Sequence, residues 1–487
     1  MLTFLIGMAI LVLGGLAYGA YVQKVFGPDD RKTPAITMED GVDYVPMNKW
    51  KNSLVQLLNI AGTGPILGPI QGILFGPIAF LMIPIGCVLG GAMHDYLSGM
   101  ISMREKGKQM PALIEKFLGK GIYNAYNIFV CFLMLLVGAV FIYTPGDLAV
   151  SQVLGQKAVP SNPTVWIVYG LIFIYYLIAT LFPIDKIIGK IYPIFGAILL
   201  LSAVGVGVGI FVKGYPLTNI DFSHLNMHPK GTPIFPIFFV TVACGIVSGF
   251  HSTQSTMIAR SVQNEREGKM TFFNMMLLEG FIAMIWAAAS MGVYQLNLVD
   301  KDLIGQAAVI GIVSKNLLGS GGGMIAIIGV IVLPITSGDT ALRSLRLMLG
   351  DALHIDQSKK RNRVMITTCI FVPVILILIF AKLNAEGFNV LWRYFAWSNQ
   401  TIAIFAFAMI TVYLYKEGKN FFVSLLPGCF YAFIISTFLL NAKIGFGLSL
   451  NTAYIIGAIF TVLYTGFTMY LSKNKKQALL DSDNVSA

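Results

Sequence analysis

The stretch NIAGTGPILGP, Asn59–Pro69, interrupts an apolar segment that runs from about Lys51 to Gly76. A second stretch, ACGIVSGFHSTQ at Ala243–Gln254, interrupts the apolar segment from Pro233 to Arg260. Pro65 and Pro69 supply no backbone N–H, and the glycines around them resist regular helix. Unsatisfied backbone groups are costly in hydrocarbon, so an unwound stretch must be buried in protein or line a watery cavity. Interrupted helices in corresponding halves of a polytopic chain point to a transporter's binding site.

The rest of the chain fits a membrane setting. Its 487 residues are 56% hydrophobic and 12% charged, with a mean hydropathy of +0.75. Soluble domains carry about 25% charged residues. The net charge of +11 calls for no nucleic-acid partner, because it gathers on alternate loops. Cys87, Cys131, Cys244, Cys369 and Cys429 lie in apolar segments without metal-ligand spacing and read as small buried hydrophobes. Leu2–Tyr21 lacks a basic leader and a clear cleavage site, and so reads as a retained span.

Apolar runs of about 20 residues cross a bilayer, and about thirteen are expected here, at 2–23, 51–76, 77–103, 121–144, 164–182, 188–212, 233–257, 271–297, 324–350, 364–382, 389–414, 420–441 and 451–472. About three quarters of the 34 Lys and Arg fall on one set of alternate loops. The N-terminus is therefore expected outside and the C-terminus in the cytoplasm. Pro111–Leu118 reads as a short amphipathic piece lying along the cytoplasmic interface.

In this arrangement each broken segment opens a five-span unit, and the two units run in opposite senses. The expected fold is all-α and polytopic, a LeuT-like 5+5 inverted repeat with one extra N-terminal and two extra C-terminal helices. The divisions are 1–50 for the first span and its loop, 51–214 and 215–416 for the two repeats, and 417–487 for the last spans and tail.

Four blocks carry a resemblance: Asn59–Pro69; GCVLGGAMHDYLSGMISMR, Gly86–Arg104; CGIVSGFHSTQSTMIAR, Cys244–Arg260; and WRYFAWSNQT, Trp392–Thr401. Together they resemble the carbon starvation protein A family. That resemblance implies a carrier of the bacterial inner membrane, linked to nutrient limitation, with pyruvate or short peptides as substrate types.

Half-helix ends offer N–H groups that favour a carboxylate. Thr63, Gly64, Gly68, Ser248, Gly249, His251 and Gln254 are accordingly the substrate-contact candidates at the breaks. Asn399 and Gln400, in a polar run of the 389–414 span, can bind a carboxylate, an amide or each other. For any one hydroxyl the competing account is a bond back to its own helix.

Coupling candidates are the polar groups held at depth. Asp95 should face the bundle, either in gating or proton movement or as a structural pin. Adjacent helical residues point about 100° apart, so His94 is not expected to pair with Asp95 directly. Glu279, near mid-depth among apolar neighbours, can carry a proton. In LPITSGDTALR, Leu333–Arg343, the hydroxyls of Thr336 and Ser337 could join carbonyls at 61–64 in a sodium site. Asp339 either adds charge there or pairs with Arg343 at i,i+4. Lys190 either stands in for a sodium ion or snorkels to the interface.

These features favour a secondary active transporter over an enzyme. A membrane-embedded starvation sensor and, more remotely, an intramembrane enzyme are the alternatives. There is no phosphate-binding GxxxxGK[ST] loop. The expected partners are a small carboxylate and the lipid bilayer, with no cofactor beyond a coupling proton or sodium ion; a homo-oligomer or a partner sensor kinase stays open.

Overall fold

The computed structural model describes residues 1–41, 43–181, 184–299, 308–357 and 359–486, without the side chains of 184–193 and 478–486. Among these residues the fold is helical, with an isolated bridge between Met47 and Val262 and no strand. Among the described residues eleven helices are long and apolar enough to cross a membrane, or twelve if one bent pair counts as a single span.

The first half comprises α1 (Leu2–Phe26), the bent pair α2 (Lys49–Ile60) and α3 (Gly64–Phe75), α4 (Ala79–Arg104), the short α5 (Met110–Leu118), α6 (Lys120–Val153), α7 (Pro163–Leu181) and α8 (Ile184–Val212). The second half comprises α9 (Gly249–Ile258), α10 (Glu265–Gln295), α11 (Ala308–Ala352), α12 (Lys360–Leu383), α13 (Gly387–Lys416), α14 (Phe422–Asn441) and α15 (Leu450–Ser486). The count falls short of thirteen at 233–258. That segment is divided among Ile234–Phe238, Phe239–Thr241, Ala243–Ile246 and α9, and no piece reaches the length of a span.

Both breaks lie where the sequence places them. Helix α2 ends at Ile60, and α3 resumes at Gly64 with Pro65 in its first turn, bent by 51°. Proline suits that position because the first N–H groups of a helix have no internal acceptor. At the second break Val247 (φ −146°, ψ 132°) and Ser248 (φ −131°, ψ 118°) are extended before α9 begins. Glycines let the two breaks touch: a Cβ at Gly64 would overlap the side chain of Cys244, and one at Gly68 would sit 3.0 Å from the Thr241 carbonyl oxygen.

Burial follows from this contact. The helices nearest the breaks, α4, α10 and α13, are mostly enclosed, whereas α1, α7 and α15 turn most of their surface outward. Helix α11 is one long element with a non-helical residue at Gly319 (φ 72°), so the expected 324–350 span is its second part.

Candidate functional site: a buried carboxylate–histidine chain at the second break

Helix α9 starts in the protein interior, and its first turn carries His251. The imidazole Nδ1 lies 3.0 Å from Asp95 Oδ2 on α4, and Nε2 lies 3.5 Å from Glu279 Oε2 on α10. All three side chains are buried. The second contact is within ion-pair reach but outside hydrogen-bonding geometry, leaving His251 Nε2 and both Glu279 oxygens without a hydrogen-bond partner.

His94 completes the chain, with Nδ1 2.9 Å from Asp95 Oδ1. This corrects the expectation that the two neighbours do not pair. Two side chains can lean towards one another across the 100° between them, and here both are buried in the interior. With Asp95 ionised, each imidazole donates from Nδ1 to a different carboxylate oxygen. Each Nε2 then faces away from Asp95 as an acceptor, that of His251 towards Glu279. A buried carboxylate is tolerable only with such donors around it.

Asn399 on α13 organises the start of α9. Its Oδ1 accepts from the Phe250 N–H at 2.8 Å and meets Ser248 Oγ at 3.1 Å, while its Nδ2 lies 3.2 Å from Cys244 Sγ. The N–H of Phe250 is thus capped by a side chain from another helix. At Gly249 a Cβ would overlap the Asn399 carbonyl and the Ala403 nitrogen, so glycine is needed for this close approach. Gln400 points elsewhere, donating to the Phe239 carbonyl at 2.5 Å with its Oε1 unpartnered.

At the first break Thr63 is buried with its Oγ1 unpartnered, and so is the Oδ1 of Asn59 one turn before. Gln254 donates to Thr253 Oγ1 at 3.1 Å and leaves its own Oε1 unsatisfied. Thr63, Gly64, Gly68, Ser248, Gly249, His251 and Asn399 therefore belong to one interior region, joined there by Asp95 and Glu279.

The other candidates bond to different elements. Ser337 Oγ donates to the Leu58 carbonyl at 3.0 Å, tying α11 to the last turn of α2, and Thr336 Oγ1 donates to Leu333 at 2.8 Å. Asp339 Oδ2 accepts from Tyr175 OH at 2.6 Å, and Arg343 donates to the Ala179 carbonyl, so both reach α7. The side chain of Lys190 lies outside the described residues.

Sequence reasoning did not find the Lys382–Asp147 ion pair. Lys382 Nζ on α12 lies 2.7 and 2.8 Å from the two oxygens of Asp147 on α6, donates to the Ala158 carbonyl at 2.8 Å, and shares Asp147 with Tyr169 OH at 2.6 Å. Nothing in the local sequence pairs positions so far apart.

The sequence profile described as "Carbon starvation protein CstA" matches residues 1–155, 142–311 and 304–438. The chain belongs to the carbon starvation protein CstA family. An uncharacterized membrane protein of Haemophilus influenzae is 42% identical over 349 residues, 62% of this chain and 94% of that one. The peptide transporter CstA of Bacillus subtilis is 28% identical, matching 58% of this chain and 57% of its own length. The pyruvate/proton symporter BtsT of Escherichia coli is 26% identical, matching 56% and 46%. The chain thus spans about half the length of these two transporters. Among solved structures, an Eremococcus coleocola manganese transporter bound to an aromatic bis-isothiourea compound superposes with a TM-score of 0.58 at 9% identity, over 90% of this chain and 99% of that one. The fold is therefore one that a membrane transporter also uses. The Bacillus subtilis and Escherichia coli relatives carry the names of transporters, and this chain is a multi-pass membrane protein of the CstA family.

Proposed function

We propose that this CstA-family protein is a proton-coupled importer of a small carboxylate nutrient, pyruvate or a short peptide, used under nutrient limitation. The reading rests on one observation: a buried histidine, His251, bridges two carboxylates on separate helices beside the two helix breaks. A carboxylate arriving beside Asp95 brings a second negative charge into a low-dielectric interior. A proton taken up by the His251–Glu279 pair cancels it, so ion and substrate bind together. The unpartnered Thr63 Oγ1 and Asn59 Oδ1 supply polar capacity at the first break.

The finer architecture belongs to the same proposal. The breaks in α2–α3 and at 247–248 open the two inverted five-span units of a LeuT-like fold, the N-terminus faces outward, and the lysine- and arginine-rich loops face the cytoplasm. Sodium coupling through Thr336, Ser337 and the carbonyls at 61–64 is the second reading, favoured by the Ser337 bond to Leu58 that brings α11 against the first break.

Uptake of labelled pyruvate and of a labelled dipeptide into proteoliposomes, with proton and sodium gradients imposed separately, tests both. Uptake of one of them driven by an inward proton gradient alone is the expected result. Uptake that needs sodium and ignores the proton gradient would move the coupling site to Thr336 and Ser337.

A further inference from the structure

Helix α4 is mostly enclosed, and its two exposed residues, Ile85 and Leu89, stand one turn apart on one face. Both line a cavity of about 540 Å³, within the roughly 300–1,000 Å³ of small-ligand sites. Gly86 and Gly90 of α4 form its floor, and Phe235, Phe239 and the start of α14 form walls. Phe422 and Leu426 on that part of α14 are exposed, so the mouth lies on the lipid-facing flank of the bundle.

The cavity is a groove along the helices. Helices α1 and α4 run parallel, with Gly7 against Phe80 at one end and the Phe26 ring under Arg104 at the other. From the level of Met82 to that of Tyr18, the two ends of the lining, is roughly nine residues of helix, about 13 Å. At the Tyr18 end Asn420 donates to Tyr21 OH at 2.6 Å and accepts from the Phe422 N–H at 3.1 Å. Lys24, exposed one turn beyond Tyr21, and Lys419, which donates to the Phe26 carbonyl, gather positive charge at this end. Elsewhere the lining is apolar apart from the hydroxyl of Tyr431, and Phe239 meets Phe430 edge to face at 4.8 Å.

Ordered water needs about two to four polar partners, which such walls do not offer. An empty groove would forfeit dispersion contacts along its whole length. In a bilayer the filling is therefore hydrocarbon. A narrow apolar groove with cations at one end matches a phospholipid, whose chain is apolar and whose phosphate is anionic. Behind the floor lies the second break: a Cβ at Gly86 would meet Ile246 Cγ2 at 2.1 Å, and one at Gly90 would meet Val247 Cγ2 at 2.6 Å.

We propose that this groove holds an acyl chain of a membrane phospholipid, headgroup at the Tyr18–Asn420 end. The chain sets the spacing of α4 and α14 beside the second break. This site does not depend on the transport reading.

The test reconstitutes the full-length chain in phospholipid vesicles containing a phosphatidylglycerol with a diazirine on one acyl chain. After irradiation, labelled residues are located by peptide mass spectrometry. Leu89, Phe422 and Leu426 should label about tenfold more than Leu376 on α12 and Val462 on α15, comparably exposed residues outside this lining. Leu89→Trp and Leu426→Trp, substitutions at exposed positions that fill the groove, should each lower labelling at Phe422 about tenfold and leave Leu376 and Val462 unchanged. Even labelling across all five positions of the parent overturns the groove, and this comparison needs no variant to fold. Undiminished labelling at Phe422 in either folded variant also overturns it. Equal labelling of the groove by a free fatty acid with the same diazirine, at the same mole fraction, overturns the phospholipid in favour of the free acid.

Discussion

Asp95 and Glu279 differ in their surroundings more than in their chemistry. Asp95 receives two imidazole N–H groups, whereas Glu279 has only a 3.5 Å contact with His251. The proposed coupling proton belongs to the His251–Glu279 contact, while Asp95 serves as the acceptor for both imidazoles. Replacing Glu279 with Gln should lower proton-driven uptake on the order of tenfold and flatten its pH profile, with counterflow exchange of substrate retained. An unchanged pH profile would remove Glu279 from the coupling step. Replacing Asp95 with Asn presents an amide donor to one of two imidazole donors. The expected cost is about 1–3 kcal/mol, read as a lower melting temperature in detergent. Both carboxylates were legible in the sequence because a charge inside an apolar run has few explanations. Their shared histidine was read only as a substrate contact, because Asp95, His251 and Glu279 come together through three helices far apart in the chain.

The breaks act at the scale of elements, and there the sequence was most readable. Glycine and proline at Gly62–Pro69, and glycine at Gly245 and Gly249, mark both interruptions through local backbone chemistry alone. What they pack against is a tertiary matter. Gly64 admits Cys244, Gly62 admits Phe141, and Gly249 admits the backbone of α13. A Gly249→Ala substitution should therefore destabilise the fold by roughly 1–3 kcal/mol through overpacking, measured as thermal unfolding. A variant with normal stability but abolished uptake would instead assign the glycine to substrate contact. The same half-helices carry a buried polar seam. Asn52, Gln56, Asn59 and Thr63 recur at helical spacing along α2 and into the break, Gln56 Nε2 donates to Ser255 Oγ on α9 at 3.0 Å, and Asn52 Nδ2 donates to the Ser261 carbonyl at 3.0 Å. The Oδ1 or Oε1 of each amide in this stripe is unsatisfied, a costly state that hydration in another conformation relieves. Cysteine placed at Gln56 or Ser255, in a chain lacking the five native cysteines, should react with a membrane-impermeant thiol reagent faster during transport than at rest. Equal, slow labelling in both conditions would mean that the seam stays closed.

Across the whole molecule, the proposed transport cycle needs one part to move against another, and Lys382 sits outside the helices that carry the breaks. Lys382 is only 5% exposed, and its ammonium joins α12 to Asp147 on α6, to the Ala158 carbonyl, and through Asp147 to Tyr169 on α7. Tyr143 and Tyr169 place their rings 4.8 and 5.8 Å from the same nitrogen. None of these groups lies on α2, α3, α4, α9 or α10, the helices that carry the breaks and the carboxylate–histidine chain. This cluster is not legible in the sequence, since each partner is an unremarkable residue and only the packing of three helices brings them together. Truncating Lys382 to Ala leaves the half-buried Asp147 with the Tyr169 hydroxyl as its remaining donor, with an expected loss of about 1–3 kcal/mol. Replacing both members, as in Lys382→Met/Asp147→Leu, removes the stranded charge and should restore most of that stability, because a buried pair contributes little over well-packed apolar side chains. Thermal unfolding of the parent, the single variant and the double variant measures this directly. A double variant that is stable yet transports normally identifies the pair as framework. If it is stable but loses uptake, the charges at this position take part in the transport cycle, and the frame must be sought elsewhere.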